Sequence, residues 1–180
     1  DGPLARAGRA SDHLRRQGPR PARGPCYSAR MADRTQELAG ATMSEHDGVR
    51  YLHLDTPWVQ GAMRLAKPQS LELEYIQRMM AWMLWRPEDQ VVEGHAVQLG
   101  LGAGAITRFC HKVLRMRTTA VEINPTVITA NRLWFRLPAD DGRLAVVEGD
   151  AAHWVADPAH LASVQVLNVD LYDHEAAAPV

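Results

Sequence analysis

The chain has 180 residues, of which 46% are hydrophobic and 23% charged, enough for one ordinary globular domain or a domain with a small appendage. Its formal net charge of -1 hides an asymmetry: residues 1–34 hold eight Arg against three Asp, which leaves an acidic body of about -6 over the other 146 residues. No apolar run approaches the roughly 18–20 residues that a membrane span needs, and two cysteines, Cys26 and Cys110, form no disulfide framework and no CxxC spacing.

The basic leader, residues 1–42, reads as disordered. Its first thirty residues contain eight Gly and Pro and almost no apolar periodicity, so burial cannot offset the entropy of ordering them. Apart from one Tyr, no aromatic residue interleaves with its arginines, so no nucleic-acid or anionic-membrane contact is expected. It also lacks the apolar core of a secretion signal. With the cysteine usage, this favours a reducing, cytoplasmic setting. The eight histidines show no paired metal-ligand spacing, so no metal is expected.

Residues 43–88 read as a β-hairpin and a helix. Val49 to Leu54 and Val59 to Leu65 flank an Asp-Thr-Pro turn. Ser70 stands where an N-cap belongs, followed by Glu72 and Glu74 and by a Leu71, Tyr75, Met79, Trp82 stripe at helical spacing that points to core packing. That helix should end near Arg86-Pro87.

From residue 89 to 180, strand and helix alternate. Strands are expected at Ala96–Leu99, Thr118–Val121, Leu144–Val147 and Val164–Val169, and helices at Ala105–Leu114, Pro125–Trp134 and Ala151–Ala156. Ten-residue helices between strands imply parallel strands joined by right-handed crossovers. The fold class is therefore α/β, a Rossmann-like parallel sheet of about four core strands with flanking helices, preceded by the hairpin and helix. A doubly wound sheet usually has more strands, which suggests the front part of a longer protein.

Chemistry concentrates at the ends of these strands. Gly100, Gly102 and Gly104 occupy the first strand-to-helix turn, where glycine permits positive φ and a ligand can approach backbone amides. Steric turn-making alone would also explain them. Glu122 follows Gly100 by 22 residues, at the tip of the second strand, where an acid can accept both hydroxyls of a ribose or merely cap the helix ahead of Pro125. Asp150 ends the third strand, placed to accept from an adenine amino group or to cap the next helix. Asp170 ends the fourth strand with Asp173 three residues on. Beside the switch point of the sheet, Asp170 would face the reacting end of a ligand.

The stretches "GLGAG", "VEINP", "EGDA" and "DLYD" together resemble the class I S-adenosylmethionine-dependent methyltransferase fold. More narrowly, "YLHLDTPWVQ", "LELEYIQRMM" and the order of motifs from Val49 to Asp173 resemble the spermidine synthase family of polyamine aminopropyltransferases. The resemblance implies S-adenosylmethionine or its decarboxylated form as co-substrate, a polyamine such as putrescine as acceptor, and a homodimer. It makes Gly100, Gly102 and Gly104 the cradle of the methionine-derived tail, Glu122 the ribose ligand and Asp150 the adenine ligand. Gln60, Ile123 and Ala151 complete the nucleoside-binding set. Asp170 becomes the base that deprotonates the attacking amine, and Asp173, Gln77 and Tyr75 the residues that hold the amine. The family's glycine turn usually carries an Asp where this chain has Ala103, which keeps a methyltransferase, or a non-catalytic nucleoside-binding homologue, open as the alternative.

Overall fold

A computed structural model describes residues 38–171. Three strands come first: β1 (Ala41–His46), β2 (Val49–Leu54) and β3 (Gly61–Arg64), paired antiparallel in the order β1-β2-β3. The expected hairpin is β2 and β3. β1 is an addition that begins inside the stretch assigned to the leader, most of which (residues 1–37) lies outside the described residues. Asp47 and Gly48 link β1 to β2 with φ of 51° and 73°. Two positive φ values in a two-residue loop match the right-handed twist of the strands it joins. β1 escaped the hydrophobic pattern because five of its six residues are exposed.

The helix that follows is shorter than expected. α1 (Glu74–Met79) starts after Leu73, and the chain then tightens into 3₁₀ turns at Met80–Leu84 and Glu88–Gln90. Ser70 does not cap it, because its hydroxyl donates to Lys67 O, 2.7 Å away, within a preceding turn. The face that α1 buries is Ile76, continued by Met80, whereas Tyr75 of the expected core stripe is 42% exposed and turns elsewhere.

The second sheet is parallel throughout: β4 (His95–Leu99), β5 (Arg117–Glu122), β6 (Leu144–Glu148) and β7 (Val166–Val169), in the order β6-β5-β4-β7. The chain builds outward from β4 through β5 to β6 and then returns to pair β7 on the other side of β4. That reversal is the topological switch point. β4 is buried along its whole length, its two polar residues His95 and Gln98 included.

Between the strands run α2 (Ala105–Arg108), α3 (Pro125–Leu133) and α4 (Ala151–Ala156). α2 continues as a π-helical turn over Phe109–Val113, closed by Leu114 N donating to Phe109 O at 3.1 Å. One face of the sheet packs Ala96 and Val166 against Ile76, Met80 and Ile106, while Ala120 joins Leu52, Met63, Val127 and Phe135. Val97, Leu99 and Val121 pack on the other face with Trp154. Cys110 is buried with the first of these, and desolvation pushes its thiol up to about 12, so it is inert as a nucleophile.

Candidate functional site

The turn after β4 adopts the conformation that its glycines permit: φ is 83° at Gly100, 50° at Gly102 and 67° at Gly104. Sterics require glycine as well. A Cβ on Gly100 would lie 2.1 Å from the Asp170 carbonyl oxygen, and one on Gly104 would lie 2.6 Å from Asn131 Oδ1. Gly61 of β3 is equally constrained, since its Cβ would come within 2.5 Å of Ala103 N. The antiparallel sheet thus rests directly on the glycine turn.

Three buried polar side chains hold successive peptide groups of this turn. Leu101 N donates to Glu122 Oε2 at 2.8 Å, Asn131 Nδ2 donates to Gly102 O at 2.7 Å, and Arg108 donates through a terminal nitrogen to Ala103 O. Arg108 also reaches Pro68 O at 2.9 Å, and desolvation lowers its guanidinium to about 10. It stays charged at neutral pH and fixes the turn from below. Asn131 and Arg108 carried no motif in the sequence; the available signal was a polar side chain on the inward face of each amphipathic helix.

Glu122 is itself 9% exposed, and its Oε1 accepts from Asn124 N at 2.9 Å. Burial raises its carboxyl above the ordinary range, and the bonds from the Leu101, Asn124 and Ile123 amides oppose that rise. It does not cap α3. That role belongs to Asn124, whose side chain accepts from Thr126 N, with Pro125 in the first turn. Asp150 does cap its helix, accepting through Oδ1 from Ala152 N at 2.6 Å and His153 N at 3.2 Å. Ile123, 53% exposed, and Ala151 follow these two acids on the same edge of the sheet.

Asp170 follows β7, anchored by its own N–H to Leu99 O at 2.9 Å. Its Oδ2 accepts from the Tyr75 hydroxyl at 3.3 Å. Burial raises the Asp170 carboxyl, and the Tyr75 bond opposes it. Gln60, Tyr75, Gln98, Gly102, Ala103 and Asp170 line one narrow cleft. Gln60 and Tyr75 come from outside the parallel sheet, and Gln98 is a residue that sequence reasoning passed over.

The strand order sets the remaining geometry. Asp150, Glu122, the glycine turn and Asp170 stand in that order across the C-terminal ends of β6, β5, β4 and β7. Three inter-strand gaps place the first and last roughly 14 Å apart at about 4.8 Å per gap. Gln77 is not part of this group: its Nε2 donates to Leu71 O at 2.8 Å. Asp173 lies outside the described residues. Among the described residues no group of three His, Cys, Asp or Glu side chains is arranged to hold a metal ion, and no helix is long and apolar enough to cross a membrane.

No family model matches the chain. Polyamine aminopropyltransferases from Neisseria meningitidis serogroup A and Chromobacterium violaceum are 36% and 33% identical to it over 134 and 130 residues. These matches cover 74% and 72% of this chain but 49% and 48% of the relatives, so the chain spans about half the length of the curated relatives it matches. Among solved structures, a probable spermidine synthase from Corynebacterium glutamicum superposes with a TM-score of 0.60 at 22% identity, covering 74% of this chain and 49% of that one. Human methyltransferase-like protein 13, solved with SAH, superposes at 0.50 and 23% identity, covering 56% and 48%. Motif order, sheet topology and sequence identity therefore agree that this chain is similar to the polyamine aminopropyltransferases over about half their length, on a fold shared with a probable spermidine synthase and a methyltransferase-like protein.

Proposed function

We propose that this chain binds decarboxylated S-adenosylmethionine across the C-terminal edge of its parallel sheet and, in the full-length protein, transfers an aminopropyl group to a polyamine such as putrescine. The observation that carries the reading is the alignment of Asp150, Glu122, the braced glycine turn and Asp170 across four adjacent strands. Adenine then falls at Asp150 and Ile123, ribose at Glu122, and the tail over the glycines toward Asp170. A carboxylate has about four acceptor positions, so Glu122 can take ribose hydroxyls while keeping its bonds to Leu101 N and Asn124 N. Asp150 likewise caps α4 through Oδ1 and retains Oδ2. Gln60 Nε2, buried without a partner, is available to the ligand in the same cleft.

In this reading Asp170 removes a proton from the attacking amine, whose nitrogen lone pair then bonds to the carbon beside the sulfonium while the carbon–sulfur bond breaks to leave a neutral thioether. The raised carboxyl pKa suits a base, because a stronger base has the larger driving force for taking the proton. The direct test is product formation from decarboxylated S-adenosylmethionine and putrescine by the full-length protein. Absence of turnover by a folded sample overturns the reaction.

One observation favours methyl transfer instead. The turn contributes apolar Ala103 to the cleft, so among the described residues Asp170 is the only carboxylate lining it to meet a cationic tail. A calorimetric preference for intact S-adenosylmethionine over the decarboxylated form would select that second reading.

A further inference from the structure

Gln98 lies on β4, two residues before Gly100, on the sheet face that packs against α1 and α2. It is 3% exposed and lines the cleft beside Ala103 and Asp170, yet its Oε1 is buried with no hydrogen-bond partner. Its cross-strand neighbour Asn168, 4% exposed, leaves its own Nδ2 unpartnered rather than donating to Gln98. A buried acceptor without a donor destabilises a fold, and a leucine in its place would join Ala96, Val97 and Leu99 in the core without that cost. Oε1 is thus open to a donor that enters the cleft.

Resting on the nucleoside reading above, the part of the ligand that passes Ala103 toward Asp170 is its amine-bearing tail. We propose that Gln98 is a tail-binding residue whose carboxamide oxygen accepts a hydrogen bond from the amine of that tail. The acceptor is neutral. It engages the ammonium without demanding a net positive tail, so the cleft admits tails with and without an α-carboxylate. Among the described residues that line the cleft, Asp170 supplies the one negative charge that bears on the choice between them.

The test is calorimetric titration of the full-length protein, wild type, Gln98→Leu and Gln98→Glu, with 5′-methylthioadenosine, S-adenosylmethionine and its decarboxylated form. Gln98→Leu is expected to weaken both amine-bearing ligands about 10-fold or more, the scale of a hydrogen bond to a charged group, and to leave 5′-methylthioadenosine within about 2-fold. The same variant should melt no lower than wild type, since it removes an unsatisfied acceptor. Gln98→Glu should favour the decarboxylated form over S-adenosylmethionine. Equal weakening of all three ligands by Gln98→Leu, or no weakening of any, overturns the inference while wild-type binding of 5′-methylthioadenosine keeps the nucleoside reading intact. Failure of the wild-type protein to bind any of the three overturns both.

Discussion

Asp170 owes its expected chemistry to two opposing effects: burial raises its carboxyl, and the Tyr75 hydroxyl donating to Oδ2 lowers it again. If Asp170 is the base, the acid limb of the kcat/KM profile should lie above the ordinary aspartate value of about 3.9. Tyr75→Phe should move that limb further up, because it removes the donor that favours the ionised form; a limb that stays put or moves down argues against the assignment. Stability carries the same sign. A carboxyl raised in the folded state binds more protons than in the unfolded chain between the two pKa values, so its contribution is lost as pH rises through that window. Asp170→Asn should therefore melt higher than wild type at neutral pH while transfer falls about 10²–10⁴-fold, the usual cost of removing a general base. Glu122 behaves differently, because two backbone amides depend on it. Glu122→Gln keeps one acceptor oxygen and should cost about 1–3 kcal/mol of stability by leaving one N–H unmet. Hydrogen exchange at Leu101 and Asn124 would register the loss.

At the scale of elements, the site depends on three close approaches to glycine backbone, two by other backbone and one, at Gly104, by a side chain. Gly100 meets Asp170 O, Gly104 meets Asn131, and Gly61 brings β3 onto Ala103. Gly61→Ala is expected to destabilise by about 1–3 kcal/mol through overpacking alone. Gly142→Ala, where a Cβ would find nothing within 4 Å, should be neutral or stabilise by a few tenths to about 1 kcal/mol. Urea denaturation of the two variants side by side separates crowding from a general intolerance of alanine. The glycines of the turn were legible because their spacing fell where a strand became a helix. Gly61 was not, since nothing local marks a glycine that is required by a contact about forty residues away in sequence. β1 left a signal that went unread, the Asp47-Gly48 pair, because its exposed strand has no apolar alternation to accompany it. The expected α1 stripe placed Tyr75 in the core by period alone, whereas the shortened helix buries Ile76 and frees the tyrosine to reach Asp170.

Across the molecule, protection should follow the strand order. β4, central and buried on both faces, and β5 beside it should carry the slowest-exchanging amides, while β1, an exposed edge of its sheet, should exchange fastest; native-state hydrogen exchange reads this directly. A β1 as protected as β4 would contradict the arrangement. By itself the sequence determined the α/β class, the four parallel strands and the acids and glycines at their tips, because hydrophobic period, helix length and turn residues are local quantities. It also carried the family resemblance, through the order of those motifs. The tertiary structure alone decided that Asn124 rather than Glu122 caps α3 and that Gln77 turns back to Leu71. It alone decided that Asn131, Arg108 and Glu122 brace one turn, and that Gln98 and Tyr75 meet Asp170 in one cleft. The reason is physical: a side chain's partner is set by which strand becomes its neighbour when the sheet reverses at β4, and no periodicity within one segment encodes that choice.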